Sequence, residues 1–356
     1  MLAAALLGGA RPARALPAQP LVFPRDLGAH PGFRTEWWYV TGHAGSGGRG
    51  FGFQLTFFRS RVAAAQALAS RLAARQLVFA HAAVTDLAAG RLLHDQRIAR
   101  WSGEPDNPAD LATASVQDTA LALGDWRLRR AGDGAYHARL PASDFTLDLQ
   151  LRETQPLLLQ GDAGLSRKGP DPAQASYYYS LPQLAVTGAL TLQGQRFALD
   201  TPGARSGVAW LDHEWSDELL HPEAVGWDWI GINLFDGSAL TAFGLRRRDG
   251  STLWAGGSFR ARGGPVQPFA PESVQFAPGR RWRSPRTGAD YPVAWDIATP
   301  AGRFAVQALL DDQELDSRGS TGAVYWEGLS ELRDAAGAVL GRGYLEMTGY
   351  VAALRL

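Results

Sequence analysis

The sequence predicts an all-β protein. Its dominant pattern is short segments in which apolar and polar side chains alternate, as in 50–58, where Phe51, Phe53, Leu55 and Phe57 share one face. The 356 residues include 41 glycines and 21 prolines, many of them in turn-forming clusters between these segments. Helical patterns do not alternate with the strands, so antiparallel barrels or sandwiches fit better than βαβ units.

The predicted strands follow one another along most of the chain. Their ranges are 36–42, 50–58, 77–87, 125–130, 145–152, 177–192, 209–215, 227–234, 239–247, 293–297, 304–310 and 323–332. Segment 61–76 differs, because it consists almost entirely of strong helix formers. We expect it to form a short helical excursion from the β scaffold.

The length of the chain predicts two domains, because it exceeds the usual size of a single core. The best linker candidate is 201–207, which divides the chain into domains of 21–203 and 204–356. Residues 1–10 are small and apolar, and an A-x-A-like site follows at 13–15, so we interpret 1–20 as a truncated secretory signal peptide, with a frayed, Ala-rich terminus as the alternative. This pattern predicts a periplasmic or secreted protein.

Composition excludes several functional classes. The 35 basic and 35 acidic side chains balance and form no long basic run, so a nucleic-acid partner is not expected. The absence of cysteine excludes disulfides, thiolate metal sites and thiol nucleophiles. No apolar run reaches the ~20 residues of a membrane-spanning helix, and no metal-ligand spacing or cofactor motif is present. We therefore expect a soluble mature protein without metal or cofactor.

The most informative segment is 210–229. It places four tryptophans among eight Asp, Glu and His side chains, a combination that is costly to bury in a mere core. A site explains it better, with Asp212, His213 and Glu214 as candidate catalytic residues. In a strand, Leu211, His213 and Trp215 would point to one side and the intervening residues to the other. The sequence leaves open which face lines a cavity.

Further candidates flank this segment. In 226–230, Trp227 and Trp229 share a face and Asp228 opposes them, so Asp228 is a candidate catalytic partner from a neighbouring strand. We expect Trp215, Trp227 and Trp229 to bind an apolar substrate. Residues Glu327 and Glu346 are possible cavity carboxylates, with pairing to Arg333 or Arg342 or exposure to solvent as the alternatives.

The first half contributes three more candidates for substrate binding, Glu36, Trp37 and Tyr178. Glu36 and Trp37 either plug the end of a barrel, with the buried carboxylate paired to Arg34 or Arg59, or face the second domain. The hydroxyl of Tyr178 can donate to a substrate oxygen, although simple stacking in the barrel is the plainer alternative. His81 lies in the predicted strand 77–87, among small neighbours, and we expect it to have a structural, hydrogen-bonded role.

Several long motifs, in order, resemble one known family. Segments 33–42, 53–59, 79–86, 177–180, 210–215 and 341–350 look like the AttH-type, lipocalin-like family of predicted secreted hydrolases, which is related to bacterial carotenoid 1,2-hydratases. The resemblance spans about residues 22–352. It implies two tandem lipocalin-like β-barrels.

Two functional hypotheses remain. The first is an exported enzyme that acts on a hydrophobic lipid or isoprenoid by acid–base chemistry. A hydratase would need a protonated carboxyl beside ring faces that stabilise a carbocation. A hydrolase would use His213 with Asp212 or Asp228 to activate water or Ser216, although no G-x-S-x-G motif is present. The second is a carrier or chaperone-like protein for lipophilic ligands, with a possible functional link to an exporter.

Overall fold

The computed structural model describes residues 15–104, 107–199, 207–218 and 220–354, and these are almost entirely β. Helical structure in these ranges is confined to 3-10 turns at Arg25–Leu27, Ala63–Ala65 and Pro271–Ser273. None of the helices in the described ranges has the length and apolar character needed to cross a bilayer. The signal peptide predicted for 1–20 falls mostly on residues 1–14, outside the described ranges.

The first sheet curls into a nearly closed barrel. Its strands hydrogen-bond in the order β4-β3-β2-β1-β14-β12-β9-β8-β7-β6-β5, and β4 approaches β5. Short strands β10, β11 and β13 pair with β12 beside this path. In chain order the strands are β1 (Thr35–Ser46), β2 (Arg49–Arg61), β3 (Gln76–Asp86), β4 (Arg91–Trp101), β5 (Ala112–Ala114), β6 (Ala120–Leu123), β7 (Trp126–Arg130), β8 (Tyr136–Pro141), β9 (Phe145–Arg152), β10 (Leu158–Leu159), β11 (Leu165–Arg167), β12 (Ala175–Leu192), β13 (Gln195–Ala198) and β14 (Val208–Glu218).

The second sheet has the order β18-β17-β16-β15-β26-β25-β23-β22-β19, with β24 paired to β25. Strands β20 and β21 form a separate hairpin. The strands are β15 (Ala224–Leu234), β16 (Ala239–Arg247), β17 (Thr252–Arg260), β18 (Gln267–Pro268), β19 (Gln275–Pro278), β20 (Arg281–Arg283), β21 (Asp290–Pro292), β22 (Ala294–Thr299), β23 (Gly302–Ala308), β24 (Glu314–Ser317), β25 (Ala323–Arg333) and β26 (Val339–Met347).

The chain passes from the first sheet to the second later than the division at 203/204 predicts. Strand β14 pairs with β1 on one side and β12 on the other, so it belongs to the first sheet. The sheets therefore change between Glu218 and Ala224. The predicted linker lies almost wholly on residues 200–206, outside the described ranges, and strands of the first sheet flank it on both sides.

The helical excursion predicted for 61–76 is reduced to the single 3-10 turn at Ala63–Ala65. Strand β2 continues to Arg61, and the backbone N–H of Val62 donates to the carbonyl of Arg75, which ties the two ends of the segment together. The Gln66 side-chain amide donates to the same two residues' carbonyls. Hairpin closure thus overrides helix propensity, which is a weak preference in short segments.

The two sheets pack against each other through their outer faces. Besides a core inside each sheet, a third buried cluster lies between them and includes Tyr39, Trp210, Trp229, Phe243 and Tyr344. Buried and half-buried hydrogen bonds cross this interface. They join Thr85 Oγ1 to Gln313 Oε1 at 2.7 Å, His81 Nδ1 to Tyr325 OH at 2.7 Å and Gln183 N–H to Asn233 Oδ1 at 2.7 Å. Central strands consequently have both faces buried.

Candidate active site

A cavity of about 690 Å³ lies between the two sheets, within the size range of ligand sites. Much of its wall is aromatic, and four carboxyl side chains face it. Because side chains alternate along a strand, every second residue faces the cavity in 35–39 of β1, 212–214 of β14 and 227–229 of β15, and strands β2, β3, β12, β16, β25 and β26 also contribute to its wall. The rings are Trp37, Tyr39, Phe58, Phe79, Tyr178, Trp227, Trp229, Phe243 and Tyr325, and the carboxyls are Asp212, Glu214, Glu327 and Glu346.

Strand β14 resolves the question of which face lines the cavity. The Asp212 and Glu214 side chains point into it, whereas His213 and Trp215 point into the interior of the first barrel. The structure thus separates His213 from the two carboxyls beside it in sequence. Of the substrate-binding candidates, Trp37, Tyr178, Trp227 and Trp229 line the cavity, and Trp215 does not.

The Asp212 carboxyl is buried and accepts three hydrogen bonds. Oδ1 accepts from Trp210 Nε1 at 2.7 Å and from Ser180 Oγ at 2.5 Å, and Oδ2 accepts from the Tyr178 hydroxyl at 2.9 Å. Burial raises the pKa of Asp212 to about 7, although these donors favour the charged form. Near neutral pH this carboxyl therefore holds a proton part of the time, inside an aromatic cavity.

Glu214 lies in a different environment, beside a cation. Its Oε1 lies 3.0 Å from the ammonium Nζ of Lys168, and the same oxygen accepts from Ser176 Oγ. The ammonium also lies 4.6 Å from the ring centroid of Tyr178 and 4.3 Å from that of Phe243. Our sequence reasoning missed Lys168. A signal was available, because it is the only lysine among 35 basic residues.

Glu327 and Glu346 form a second acidic group on the opposite wall. They are directly opposite in the β25–β26 register and both face the cavity. Burial and mutual repulsion raise the pKa of Glu327, and burial raises that of Glu346 to about 8. The arginines that could have paired with them, Arg333 and Arg342, bind Glu331 instead. The structure therefore supports the interpretation of Glu327 and Glu346 as cavity carboxylates.

Neutral carboxyl groups can be observed directly. We expect an infrared band of protonated carboxylic acid at slightly acid pH, because the pKa of Asp212 lies near 7 and its proton is retained below that value. Part of the band should disappear as the pH rises through about 7 and should be missing in Asp212→Asn. A band whose intensity is identical in both proteins would contradict a protonated Asp212.

Glu36 and His213 belong to a network inside the first barrel. Glu36 Oε1 lies 2.9 Å from His213 Nε2 and 2.8 Å from His30 Nδ1, while Oε2 accepts from Arg59 Nε at 2.8 Å. The His30 ring stacks on Trp215, with 3.8 Å between centroids. Glu36 therefore follows the barrel-plug alternative, with Arg59 as its partner. Trp37, its neighbour in sequence, follows the other alternative and faces the second sheet.

The same network contains a possible set of metal ligands. Ligand atoms of His30, Glu36 and His213 lie within 4.8 Å of one another. The Glu36 carboxylate is already engaged by both imidazoles and by Arg59, whose guanidinium supplies the compensating positive charge. Burial lowers the pKa of His213 to about 4, so its imidazole is neutral near pH 7. This arrangement has the character of a structural ion-pair network.

Asp228 lies on the other side of the second sheet from the cavity. Its carboxylate accepts from Arg246 Nη1 at 2.6 Å and from the Tyr350 hydroxyl at 2.9 Å, beside a separate pocket of about 450 Å³. Strand alternation explains this placement, since Trp227 and Trp229 take the cavity face. The sequence analysis named Asp228 as a candidate catalytic partner from a neighbouring strand. The structure instead separates Asp228 from Asp212.

A serine–histidine contact also reaches the cavity wall. His81 Nε2 lies 2.8 Å from Ser320 Oγ, which in turn donates to Gln96 Oε1 at 2.7 Å. The Gln96 amide nitrogen donates to the Asp316 carbonyl, which fixes the orientation of that amide. Because the serine proton goes to Gln96, the imidazole N–H donates to the serine. His81 is then a link between the sheets, not a base for a serine nucleophile.

These features define an antiparallel two-sheet protein with an acidic, aromatic cavity between its sheets. A model of AttH-like proteins matches residues 14–350, and the chain belongs to the AttH-like family. No curated protein matched the sequence. The chain is similar to the crystal structure of a candidate AttH from Nitrosomonas europaea, with 47% identity, a TM-score of 0.85 and coverage of 95% of this chain and 100% of that one.

Two more distant structures share the fold. Kievitone hydratase from Nectria haematococca is 14% identical, with a TM-score of 0.70 and coverage of 94% of both chains. CghA is 13% identical, with a TM-score of 0.51 and coverage of 92% of this chain and 90% of that one. The lipocalin-like fold expected from the sequence is therefore confirmed.

Proposed function

We propose that this protein is a hydratase-type enzyme that adds water across a carbon–carbon double bond of an apolar ligand. The observation that carries the proposal is the Asp212 carboxyl, buried among aromatic rings with its pKa raised to about 7. Protonating an alkene requires an acid that holds its proton near neutral pH. Asp212 is the proton donor in this proposal.

The rest of the cavity supports the cation that protonation of an alkene creates. The rings of Trp37, Trp229 and Phe243 line the cavity, and the π-faces of aromatic rings attract positive charge. Glu214, paired with the Lys168 ammonium, lies on the same wall as Asp212. Asp212 is thus the carboxyl of this wall whose pKa is raised, and Glu214 is its ion-paired neighbour.

The substrate class follows from the size and lining of the cavity. A volume of about 690 Å³ with a largely aromatic wall suits a lipid or isoprenoid-type molecule. The shared fold of kievitone hydratase is consistent with hydration, although the likeness at 14% identity concerns the fold. Hydrolysis by a serine is disfavoured by the orientation of the Ser320 proton toward Gln96.

Isotope incorporation tests the proposal. The purified protein is incubated with a panel of isoprenoid alkenes in ¹⁸O-labelled water, and the products are analysed by mass spectrometry. We expect at least one alkene to yield an alcohol that carries the label, at a rate above that of the heat-denatured protein. Tight binding of the panel without labelled product would instead favour the carrier hypothesis.

A further inference from the structure

Lys168 is a buried cation on the cavity wall that the proposed hydration does not use. It lines the cavity and is 7% exposed, whereas the lining arginines Arg34, Arg61 and Arg318 are exposed. Burial lowers the pKa of the lining His81 to about 3, so that imidazole is neutral. Among the lining residues that the structure describes, Lys168 is therefore the one buried cation. A charge in this position is costly unless polar partners replace its lost hydration.

The protein satisfies only part of the hydrogen-bonding capacity of this ammonium. An ammonium carries three N–H donors. Within the described ranges, the partners of Lys168 Nζ are Glu214 Oε1, at 3.0 Å, and the ring faces of Tyr178 and Phe243, at 4.6 and 4.3 Å from their centroids. The ring faces attract the charge without acting as oxygen acceptors. Glu214 is thus the one oxygen partner, and donors remain for a ligand or water in the cavity.

The backbone around Lys168 is bound to both sheets. Lys168 directly follows β11, and its N–H donates to the carbonyl of Gln174 at 2.7 Å. The carbonyl of Arg167 accepts from Trp254 Nε1, on β17 of the second sheet, at 3.0 Å. The ammonium is therefore presented to the cavity from a fixed loop at the junction of the sheets.

The surroundings of the ammonium favour an uncharged acceptor. A ligand carboxylate or phosphate would lie beside the Glu214 carboxyl, with the Asp212 carboxyl on the same wall. Crowding a further negative charge into a buried site that already contains these groups is costly. A carbonyl oxygen only accepts hydrogen bonds, so it matches the donors of the ammonium, whereas a ligand hydroxyl would need an acceptor for its own proton.

We propose that Lys168 determines substrate specificity by binding a carbonyl oxygen of the ligand while Asp212 faces its double bond. Glu214 and Asp212 are two positions apart on one face of β14, so their side chains are spaced roughly 7 Å along the strand. The substrate is then an unsaturated carbonyl compound whose oxygen and double bond are separated by a similar distance. The role in hydration rests on the proposed function, whereas carbonyl binding at Lys168 does not depend on it.

The single lysine allows the site to be observed directly. Expression with lysine that is ¹⁵N-labelled at Nζ gives one ammonium signal in the NMR spectrum, because the chain contains one lysine. The probes are acetophenone and isopropylbenzene, which has a methyl group of similar size in place of the carbonyl oxygen. At saturation we expect acetophenone to shift the signal more than isopropylbenzene does. Equal shifts would overturn the proposal.

Affinities of the two probes for variants of the full chain, measured by calorimetry, locate the contact. Lys168→Met keeps the length of the side chain and removes the ammonium. It should weaken acetophenone binding about 10- to 100-fold, the contribution of a hydrogen bond from a charged donor. Arg61→Met is the matched control, since it makes the corresponding change at an exposed cation of the same cavity. Unchanged acetophenone binding in Lys168→Met, or an equal loss in Arg61→Met, would refute the site.

The affinity for isopropylbenzene reports whether the cavity is intact. We expect it to be the same in Lys168→Met as in the unmodified protein. If it falls, the carboxyl left without its partner has disturbed the wall. Lys168→Met is then combined with Glu214→Gln, which removes both members of the ion pair, and the same selective loss of acetophenone binding is expected. A double variant that binds acetophenone as the unmodified protein does would refute the site.

Two further probes test the choice of an uncharged carbonyl. Benzoate replaces the acetyl group of acetophenone by a carboxylate, and 1-phenylethanol replaces the carbonyl by a hydroxyl. We expect both to lose less affinity than acetophenone in Lys168→Met. An equal or larger loss for benzoate would assign the site to an anion, and an equal loss for 1-phenylethanol would assign it to a hydroxyl. Either result would overturn carbonyl selection.

Hydration kinetics separate this inference from the proposed function. The alkenes compared are 6-methylhept-5-en-2-one and 2-methylhept-2-ene, which share a carbon skeleton and differ in the carbonyl. Lys168→Met should raise the KM of the ketone about 10- to 100-fold and change kcat less, because the lost contact is a binding contact. Equal kcat/KM for both alkenes in the unmodified protein would refute substrate selection by Lys168. If no alkene incorporates ¹⁸O and acetophenone binding still depends on Lys168, the proposed function fails and the carbonyl site stands.

Discussion

Replacing Asp212 by asparagine is expected to lower the hydration rate about 10²- to 10⁴-fold, the usual contribution of a positioned general acid. Asparagine has nearly the same shape, and its carbonyl oxygen can still accept from Trp210 and Ser180, so the cavity should remain intact. It has no acidic proton to give to an alkene. The measurement is the initial rate of ¹⁸O-labelled alcohol formation, together with the affinity for tert-butylbenzene, an apolar probe of an intact cavity.

Asp228→Asn provides the matched control for this change. It makes the same chemical substitution in a buried aspartate of the second sheet, but on the side of the sheet that faces away from the cavity. We expect its rate to remain within a fewfold of that of the unmodified protein. Equal losses in the two variants would show that the rate reflects stability, and an unaffected rate in Asp212→Asn would remove Asp212 as the donor.

Local patterns predicted most of the strands but not the faces that line the cavity. Alternation correctly separated Asp212 and Glu214 from His213, because the geometry of a strand is local. Alternation could not tell which of the two faces of β14 lines the cavity. Both are buried, one by the first barrel's interior and the other by the second sheet, and each contains rings and ionisable groups. Burial on both sides removes the polar face that normally identifies the solvent side.

Features that depend on distant pairing were missed. Strand β14 lies between β1 and β12 in the first sheet, and the Gly- and Pro-rich segment in front of it resembles a domain linker in sequence. Tyr39 lies on the cavity wall beside Asp212 only through the register that pairs β1 with β14. These contacts join positions far apart in the chain, so no window of residues reveals them.

The ion pair inside the first barrel should have the largest single effect on stability. Arg59 is fully buried, donates to Glu36 Oε2 at 2.8 Å and also donates to the carbonyls of Phe33 and His30. Burial alone would raise the pKa of Glu36, but hydrogen bonds from His213 and His30 and the charge of Arg59 hold it well below its usual range. The buried negative charge of Glu36 is therefore compensated by these partners.

Arg59→Leu should lower the free energy of unfolding by about 3–5 kcal/mol, because it leaves that carboxylate buried without its guanidinium. The measurement is urea denaturation at neutral pH. Arg139→Leu is the control, since Arg139 and Asp148 form an exposed pair at 3.7 Å and its loss should cost at most about 0.5 kcal/mol. Adding Glu36→Gln to Arg59→Leu should recover part of the loss, because the unpaired charge is then removed. If the double variant is no more stable than Arg59→Leu alone, lost packing rather than an uncompensated charge accounts for the effect.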